Sequence, residues 1–242
     1  MTPAHLSIII PAYNEAQRLP NTLGQALKFI EQQPYTSEIV VVENGSRDNT
    51  LQIAQNFAAQ YPQVRVLHNA QPGKGRAVQT GMLAAHGEYR FMADADLSMP
   101  IEQVNRFLPP NSSAPIVIGS REAPGAVRYN EPAYRHWGGR FINLVIRALA
   151  LPGLRDTQCG FKCFRADVAR DLFSVQTIMG WAFDVEILYI ARLRGYEIHE
   201  LAIPWYFNPE SKLNVVRDAL RMMRDIAEIR SKAQRGVYAP ST

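Results

Sequence analysis

Apolar segments in the first half of the chain alternate between two periodicities. Short runs without alternating polar positions are typical of strands buried on both faces; they lie at residues 6–10, 39–42, 64–67 and 89–93. Between these runs, apolar residues recur every three or four positions, which predicts helices over residues 19–32 and 49–61 and a third ending near residue 86. This alternation predicts an α/β fold, a Rossmann-like, mostly parallel sheet with helices on both faces.

The pattern is less regular beyond about residue 110. It predicts strands over residues 116–118, 160–164 and 198–206, and helices over residues 135–150, 183–193 and 213–230. A long loop is expected between the first of these strands and about residue 132. Because no linker, repeat or low-complexity tract interrupts the chain, we expect residues 1–242 to form a single domain.

The last predicted helix is amphipathic and basic. Its apolar stripe comprises Leu213, Val216, Leu220, Met223 and Ala227. The adjacent arginines are Arg217, Arg221 and Arg224. Such a helix can lie on an anionic membrane surface, or it can pack its apolar stripe against the domain and leave the arginines in water. Both alternatives remain open from the sequence.

The composition excludes several protein classes. With 47% apolar and 20% charged residues among 242, the chain is ordinary for a globular protein and unlike a disordered one. No apolar run approaches the roughly 20 residues of a membrane span, and the first residues do not resemble a signal peptide. With Cys159 and Cys163 as its two cysteines, the chain is expected in the cytoplasm. The net charge of +4 favours anionic partners such as phosphate esters, nucleotides or a membrane surface.

Polar clusters follow the predicted strands at their carboxyl ends, where open α/β sheets bind ligands. Asp94 and Asp96 are separated by one residue, so their carboxylates can bind Mg²⁺ or Mn²⁺, which then bridges to a diphosphate. A solvated acidic turn would have the same pattern.

Two further clusters fit a nucleotide ligand. Glu43 or Asn44 can accept a hydrogen bond from a base or ribose, and Gly45 suits a tight turn. The segment from Gly73 to Arg76 combines glycines with two cations before a helix, which suits phosphate groups. A capped strand-to-helix turn and a basic surface turn are the purely structural alternatives. Neither a Walker loop nor a G-x-G-x-x-G motif is present, which argues against a P-loop enzyme or a dinucleotide oxidoreductase.

These clusters, in this order, resemble the family 2 glycosyltransferases with the GT-A fold. The family's opening P-x-x-N-E is matched by Pro11, Asn14 and Glu15. Its V-V-D-D-G-S-x-D-x-T element is matched by residues 41–50, except that Glu43 and Asn44 replace the two aspartates. The family's D-x-D corresponds to Asp94-Ala-Asp96.

Four segments of the second half resemble the dolichyl-phosphate glucosyltransferase branch of this family: residues 156–164, 181–186, 203–205 and 211–213. The resemblance implies inverting, metal-dependent transfer of one hexose, from UDP-glucose, to a polyprenyl or dolichyl phosphate at a membrane surface, with no nucleic-acid partner. It also implies that the two cysteines are packing residues. Another donor (GDP-mannose or UDP-N-acetylglucosamine), a soluble acceptor, and a non-catalytic nucleotide-sugar-binding protein remain alternatives.

The resemblance also assigns roles to residues. Those expected to bind the nucleotide sugar are Pro11, Tyr13, Glu15, Glu43, Asn44, Gly45, Lys74, Arg76 and Asp94. Asp94 and Asp96 are expected to bind Mg²⁺ or Mn²⁺. Asp184 is preferred over Asp156 as the base, although a phosphate acceptor is mostly dianionic at pH 7 and needs positioning cations more than a strong base. The cations expected to hold the acceptor phosphate are Arg121, Arg135 and Lys212. Residues from about 1 to 110 would bind the nucleotide sugar and residues from about 111 to 242 the acceptor.

Overall fold

The strands and helices follow the predicted alternation. The structure, a computed structural model, describes residues 4–207 and 215–239, with the side chains at 133–137, 141, 215, 216 and 218 outside the description. The strands are β1 (Leu6–Ala12), β2 (Ser37–Glu43), β3 (Val64–His68), β4 (Tyr89–Met92), β5 (Ile116–Ser120), β6 (Val127–Tyr129), β7 (Lys162–Arg165), β8 (Ile198–Ala202) and β9 (Pro204–Tyr206). The α-helices are α1 (Leu19–Glu31), α2 (Thr50–Gln60), α3 (Lys74–Ala84), α4 (Ala133–Leu149), α5 (Ala166–Phe173), α6 (Phe183–Leu193) and α7 (Val215–Gln234).

Seven strands form one sheet in the order β3-β2-β1-β4-β7-β5-β8. β7 runs antiparallel to both of its neighbours, β4 and β5, while the other pairs are parallel. The predicted mostly parallel sheet is therefore confirmed. Strands from both halves of the chain contribute to it, so the two halves share one sheet.

The core lies in two apolar layers, one on each face of this sheet. Successive residues of β1 point to opposite layers: Ile9 belongs to the layer built with α3 to α7, whereas Ile8 and Ile10 belong to the layer built with α1, α2 and a 3₁₀ helix at Ile101–Phe107. Because a strand buried on both faces needs apolar residues at every position, the unbroken runs of β1 and β2 follow directly from this arrangement. The prediction of helices on both faces is confirmed.

The strand predicted over residues 198–206 is two strands in two sheets. β8 pairs with β5 in the main sheet, and β9 pairs with β6 in a separate two-stranded sheet. The break falls at Ile203, before Pro204, whose ring removes the backbone N–H that a continuing strand would need. β6 lies inside the segment expected to be a long loop, so that expectation was wrong over residues 127–129.

The apolar stripe predicted for α7 is not the stripe that packs against the domain. Among the α7 side chains that the structure describes, Ala219, Met222, Ile226 and Ile229 are buried. From the predicted stripe, Leu220 is 59% exposed and Met223 is 38% exposed, while Leu213 and the Val216 side chain lie outside the description. The helix carries two adjacent apolar stripes, and contact with α4 selects the one containing Met222. Within the described part of the chain, no helix is long and apolar enough to cross a bilayer.

Candidate active site

Antiparallel strand β7 brings a distant segment beside the Asp94 turn. Met92 at the end of β4 is paired with Lys162 at the start of β7, so the residues before Lys162 lie at the same sheet edge as Asp94. A Cβ atom at Gly160 would lie only 1.9 Å from Asp94 Oδ2. A glycine is therefore required at position 160 to leave space for the Asp94 carboxylate, a constraint that the sequence alone did not reveal.

Lys74 provides the cation at the centre of this edge. It begins α3, and its Nζ lies 2.7 Å from Asp94 Oδ1 and 4.9 Å from the centre of the Trp181 ring. Burial alone would lower the pKa of Lys74, but the carboxylates of Asp94 and Asp184 outweigh burial and raise it. Lys74 is therefore protonated and placed as a cation among the acidic groups, as its predicted role with the diphosphate requires.

Asp184 lies buried at the start of α6 and is paired with a buried lysine. Lys162 Nζ donates to Asp184 Oδ1 at 2.6 Å and to the carbonyl oxygen of Cys159 at 2.5 Å. Burial raises the pKa of Asp184, although Lys162 and Lys74 act in the opposite direction. Sequence analysis missed Lys162, whose signal was a lone charge within an apolar strand, because a lysine is rarely buried there without a partner.

Asp156, the second candidate base, is paired with an arginine, and its pKa is lowered. Its two carboxylate oxygens accept hydrogen bonds from the Arg121 guanidinium at 2.7 and 2.9 Å and from the Arg121 backbone N–H at 2.9 Å. Burial would raise the pKa of Asp156, but the Arg121 cation outweighs it and lowers the pKa to about 2. Asp156 therefore holds Arg121, whereas Asp184 has the raised pKa that suits a proton acceptor.

The loops after β1 and β2 are joined by hydrogen bonds. The backbone N–H of Asn14 donates to Ser46 Oγ at 3.0 Å, and that of Arg47 donates to Asn14 Oδ1 at 2.8 Å. The backbone N–H of Glu15 donates to Thr50 Oγ1 at 2.8 Å. Asn14 has φ = 54°, a conformation that asparagine adopts more readily than most residues. These bonds hold the two loops together at the carboxyl edge of the sheet.

Glu43 ends β2 and Asn44 follows it, and their side chains differ in hydrogen bonding. Glu43 is buried, and its carboxylate accepts hydrogen bonds from Ser46 N and from His68 Nδ1, both at 2.5 Å. Asn44 Oδ1 is buried without a hydrogen-bond partner among the described residues. Gly45 has φ = +69°, which favours glycine. The sequence predicted that Glu43 or Asn44 accepts a hydrogen bond from a base or ribose. Of the two, Asn44 is the residue whose side-chain oxygen has no partner within the described residues.

The remaining residues predicted to bind the nucleotide sugar surround the same edge. Glu15 is paired with Arg18 at 2.6 Å; burial raises the pKa of Glu15 despite that pair, and Asp94 and Asp96 raise it further. Pro11 lies within β1, and Tyr13 directly after it is 42% exposed. Arg76 Nε is buried and has no hydrogen-bond partner within the described ranges.

Asp94 and Asp96 fit a divalent cation that is shared with a substrate. No group of three or more His, Cys, Asp or Glu side chains converges as a metal site in the described part of the chain. Mg²⁺ characteristically binds one or two carboxylates together with substrate phosphates, and it does not require an all-protein cage. The Asp94 side chain is 27% exposed, so its carboxylate is accessible to a cation shared in this way.

Among the predicted acceptor-binding cations, the structure describes the Arg121 side chain, which lies between Asp156 and the Trp205 ring. The side chain of Arg135, in α4, and the whole of Lys212 lie outside the described residues. Arg128, in β6, pairs with Glu122 and with Glu131.

The two thiols, at Cys159 and Cys163, are buried and free. Burial raises the pKa of Cys159 to about 12 and also raises that of Cys163, so both remain protonated and do not favour a metal.

Comparison with known proteins gives the family. The model of glycosyl transferase family 2 matches residues 7–173. Dolichyl-phosphate beta-glucosyltransferases are similar over nearly the whole chain: that of Dictyostelium discoideum is 34% identical over 97% of this chain and 76% of its own length. The human one is 34% identical over 96% and 77%, and that of Drosophila melanogaster is 36% identical over 91% and 73%.

Solved structures agree with the fold. Glucosyl-3-phosphoglycerate synthase from Mycobacterium tuberculosis, in complex with Mn²⁺, UDP-glucose and phosphoglyceric acid, superposes with a TM-score of 0.67 at 16% identity, over 93% of this chain and 80% of that chain. Mannosyl-3-phosphoglycerate synthase from Rubrobacter xylanophilus gives 0.68 at 15% identity, over 96% and 75%. The chain therefore belongs to glycosyltransferase family 2 and has the GT-A fold.

Proposed function

We propose that this enzyme transfers glucose from UDP-glucose to a polyprenyl phosphate, dolichyl phosphate included, with inversion at the anomeric carbon. The observation that carries the proposal is the similarity to dolichyl-phosphate beta-glucosyltransferases, which extends through both halves of the chain. The sheet edge adds chemical support, because it combines a free buried acceptor, a central lysine and a carboxylate of raised pKa.

The donor would bind along the ends of β1, β2 and β4. Asn44 Oδ1 would accept the N–H of the uracil ring, since it is a buried acceptor without a partner in the described structure. Lys74 and Arg76 would bind the diphosphate, and Pro11, Tyr13, Glu15 and Gly45 would line the same edge. Glu43 would shape the turn through Ser46 and His68 and would not contact the base.

A divalent cation, Mg²⁺ or Mn²⁺, would be held by Asp94 and Asp96. When bound there, it would compensate the negative charge of the leaving diphosphate. A solved neighbour of the same fold binds Mn²⁺ together with UDP-glucose, which is consistent with this donor set.

The chemical step would be a single in-line displacement. An oxygen of the acceptor phosphate attacks the anomeric carbon, the bond from that carbon to the diphosphate oxygen breaks, and UDP leaves with the bonding electron pair. The fraction of acceptor that is still a monoanion passes its proton to Asp184. Lys162 holds the Asp184 carboxylate in position through Oδ1.

The acceptor phosphate would lie against the second half of the chain, about residues 111–242. Arg121 is fixed by Asp156 and by the Trp205 ring, so its guanidinium is preorganised for an anion. Arg135 and Lys212 remain predictions for the same role.

The enzyme would associate with a membrane peripherally, at its cytoplasmic face. On α7, Leu220 and Met223 are exposed beside exposed arginines, Arg217, Arg221 and Arg224. On α4, which packs against α7, Leu144 is 60% exposed, between the exposed Arg140 and Arg147. Apolar side chains flanked by arginines match the interface of an anionic bilayer.

Transfer itself can be measured with radiolabelled UDP-glucose and a polyprenyl phosphate in detergent, with Mn²⁺ or Mg²⁺ and with EDTA. We expect label in the organic phase only when the metal is present. EDTA-sensitive release of UDP without labelled lipid would contradict the lipid acceptor but preserve the transferase. Absence of both reactions with UDP-glucose would contradict the proposed donor.

Asp184→Asn should lower kcat by about a hundredfold below pH 6, where the acceptor phosphate is mostly a monoanion and needs a base, and much less at pH 8, where it is mostly a dianion. In the wild type the rate should fall as the pH decreases through the raised pKa of Asp184, since only the carboxylate accepts a proton; in the variant the fall should instead follow the second pKa of the acceptor phosphate, near 6. Asp156→Asn is the matched control. It should reduce thermal stability by leaving Arg121 without its counterion, while keeping the acid limb. An unchanged limb in Asp184→Asn would rule out this base.

Gly160→Ala should reduce Mn²⁺-dependent binding of UDP, measured by calorimetry, and should slow transfer by about a hundredfold. The added methyl group would collide with the Asp94 carboxylate and displace it. Gly24→Ala is the control, because a Cβ there has no atom within 4 Å. Metal-dependent binding equal to that of Gly24→Ala would argue against Asp94 as a ligand.

Vesicle sedimentation tests the membrane face. The double variant Leu220→Glu, Met223→Glu should bind vesicles of phosphatidylcholine and phosphatidylglycerol about tenfold more weakly than the wild type. Leu193→Glu, which changes an equally exposed leucine on α6, should leave binding unchanged. Equal binding by all three proteins would exclude this face.

A further inference from the structure

Trp181 is the largest side chain that the described structure leaves mostly in water. It is 68% exposed and lies two residues before α6, at the sheet edge that holds Asp94. A single exposed apolar residue needs no explanation, but an exposed indole at the rim of an active site is a good binding surface.

The segment that leads to Trp181 is rigidly packed against the start of α3. A Cβ at Gly75 would lie 2.6 Å from the carbonyl oxygen of Ile178, so the two backbones are in close contact. The backbone N–H of Arg76 donates to the carbonyl oxygen of Met179 at 3.2 Å, and Gln176 Nε2 donates to that of Gly75 at 2.9 Å. The exposed indole is thus supported by a fixed backbone.

Glu186 fixes the same segment from the other side. Its buried carboxylate accepts hydrogen bonds from the backbone N–H groups of Thr177 and Ile178, at 3.1 and 2.8 Å. It also accepts one from the Tyr238 hydroxyl at 2.7 Å. These donors offset the lost hydration of the buried carboxylate, and in doing so they hold the segment against the start of α6.

The indole ring lies directly over the cation that would bind the diphosphate. Its centre is 4.9 Å from Lys74 Nζ, and Lys74 Nζ is 2.7 Å from Asp94 Oδ1. In a nucleotide sugar, the hexose is attached directly to the diphosphate. A diphosphate at Lys74 therefore places the hexose within reach of the indole ring.

We infer that Trp181 is the platform on which the transferred hexose stacks. The axial C–H groups of a hexopyranose form an apolar face with a slight positive charge, which is attracted to the negative face of an indole. Stacking on a fixed ring would orient the anomeric carbon toward the acceptor. The inference rests on the proposed function, because it requires a nucleotide-hexose donor at Lys74.

The test compares two ligands that differ only in the hexose. The dissociation constants of UDP-glucose and UDP are measured by calorimetry with Mn²⁺, without acceptor, for the wild type, Trp181→Ala and Trp181→Phe. Leu193→Ala, at the far end of α6 and 55% exposed, is the matched control. Trp181→Ala should bind UDP-glucose about tenfold more weakly and UDP with unchanged affinity. Trp181→Phe should recover most of the loss.

Three other outcomes would each overturn the inference about Trp181. If Trp181→Ala weakens the binding of UDP-glucose and of UDP equally, Trp181 acts through Lys74, and the hexose platform is overturned. Unchanged affinity of Trp181→Ala for UDP-glucose would also overturn it and would leave the proposed function intact. If the wild type binds UDP but does not bind UDP-glucose, the proposed donor fails and the platform fails with it.

Discussion

The active site depends on the antiparallel insertion of β7 into an otherwise parallel sheet. In a parallel sheet, each strand end is followed by its own loop, and contacts between loops are limited to neighbours. Because β7 begins at the edge where β4 ends, Gly160 in the segment before β7 and Lys162 at the start of β7 both lie beside the Asp94 turn. Asp156, slightly earlier in the same segment, reaches Arg121 after β5. One reversed strand thus connects the two halves of the chain at this edge.

Two buried carboxylates at this edge differ in the direction in which their pKa values are shifted. Asp156 and Asp184 are both buried carboxylates paired with a cation, yet their pKa values move in opposite directions. The difference follows from the partners: Arg121 presents two parallel donors and a backbone N–H, whereas Lys162 presents one donor and also bonds to a carbonyl oxygen. Bidentate pairing stabilises a carboxylate more than a single ammonium contact does.

Much of this arrangement follows from the sequence. The unbroken apolar runs predict a sheet buried on both faces, and the position of Asp94 after such a run places it at the carboxyl edge. Apolar spacing also locates α1, in which Leu19, Leu23 and Leu27 are all buried. These features are local, because a strand or helix imposes its period on its own residues.

Other features depend on contacts between distant residues. The need for glycine at position 160 arises only when Asp94 is packed against it, and a lysine such as Lys162 is explained only by a partner 22 residues away. On α7, both apolar stripes are consistent with the sequence, and α4 decides which one is buried. A one-dimensional pattern contains no information on such partners, so sequence analysis of these elements was incomplete or wrong.

The bonds between Asn14, Ser46 and Arg47 have a kinetic consequence. A nucleotide bound as proposed would not have to order these two loops, because they are already joined and the entropic cost of ordering them is met during folding. Association at this end then resembles docking to a rigid surface, and its rate is governed by diffusion and by the orientation of the ligand. Differences in affinity among nucleotides should accordingly appear in their residence times.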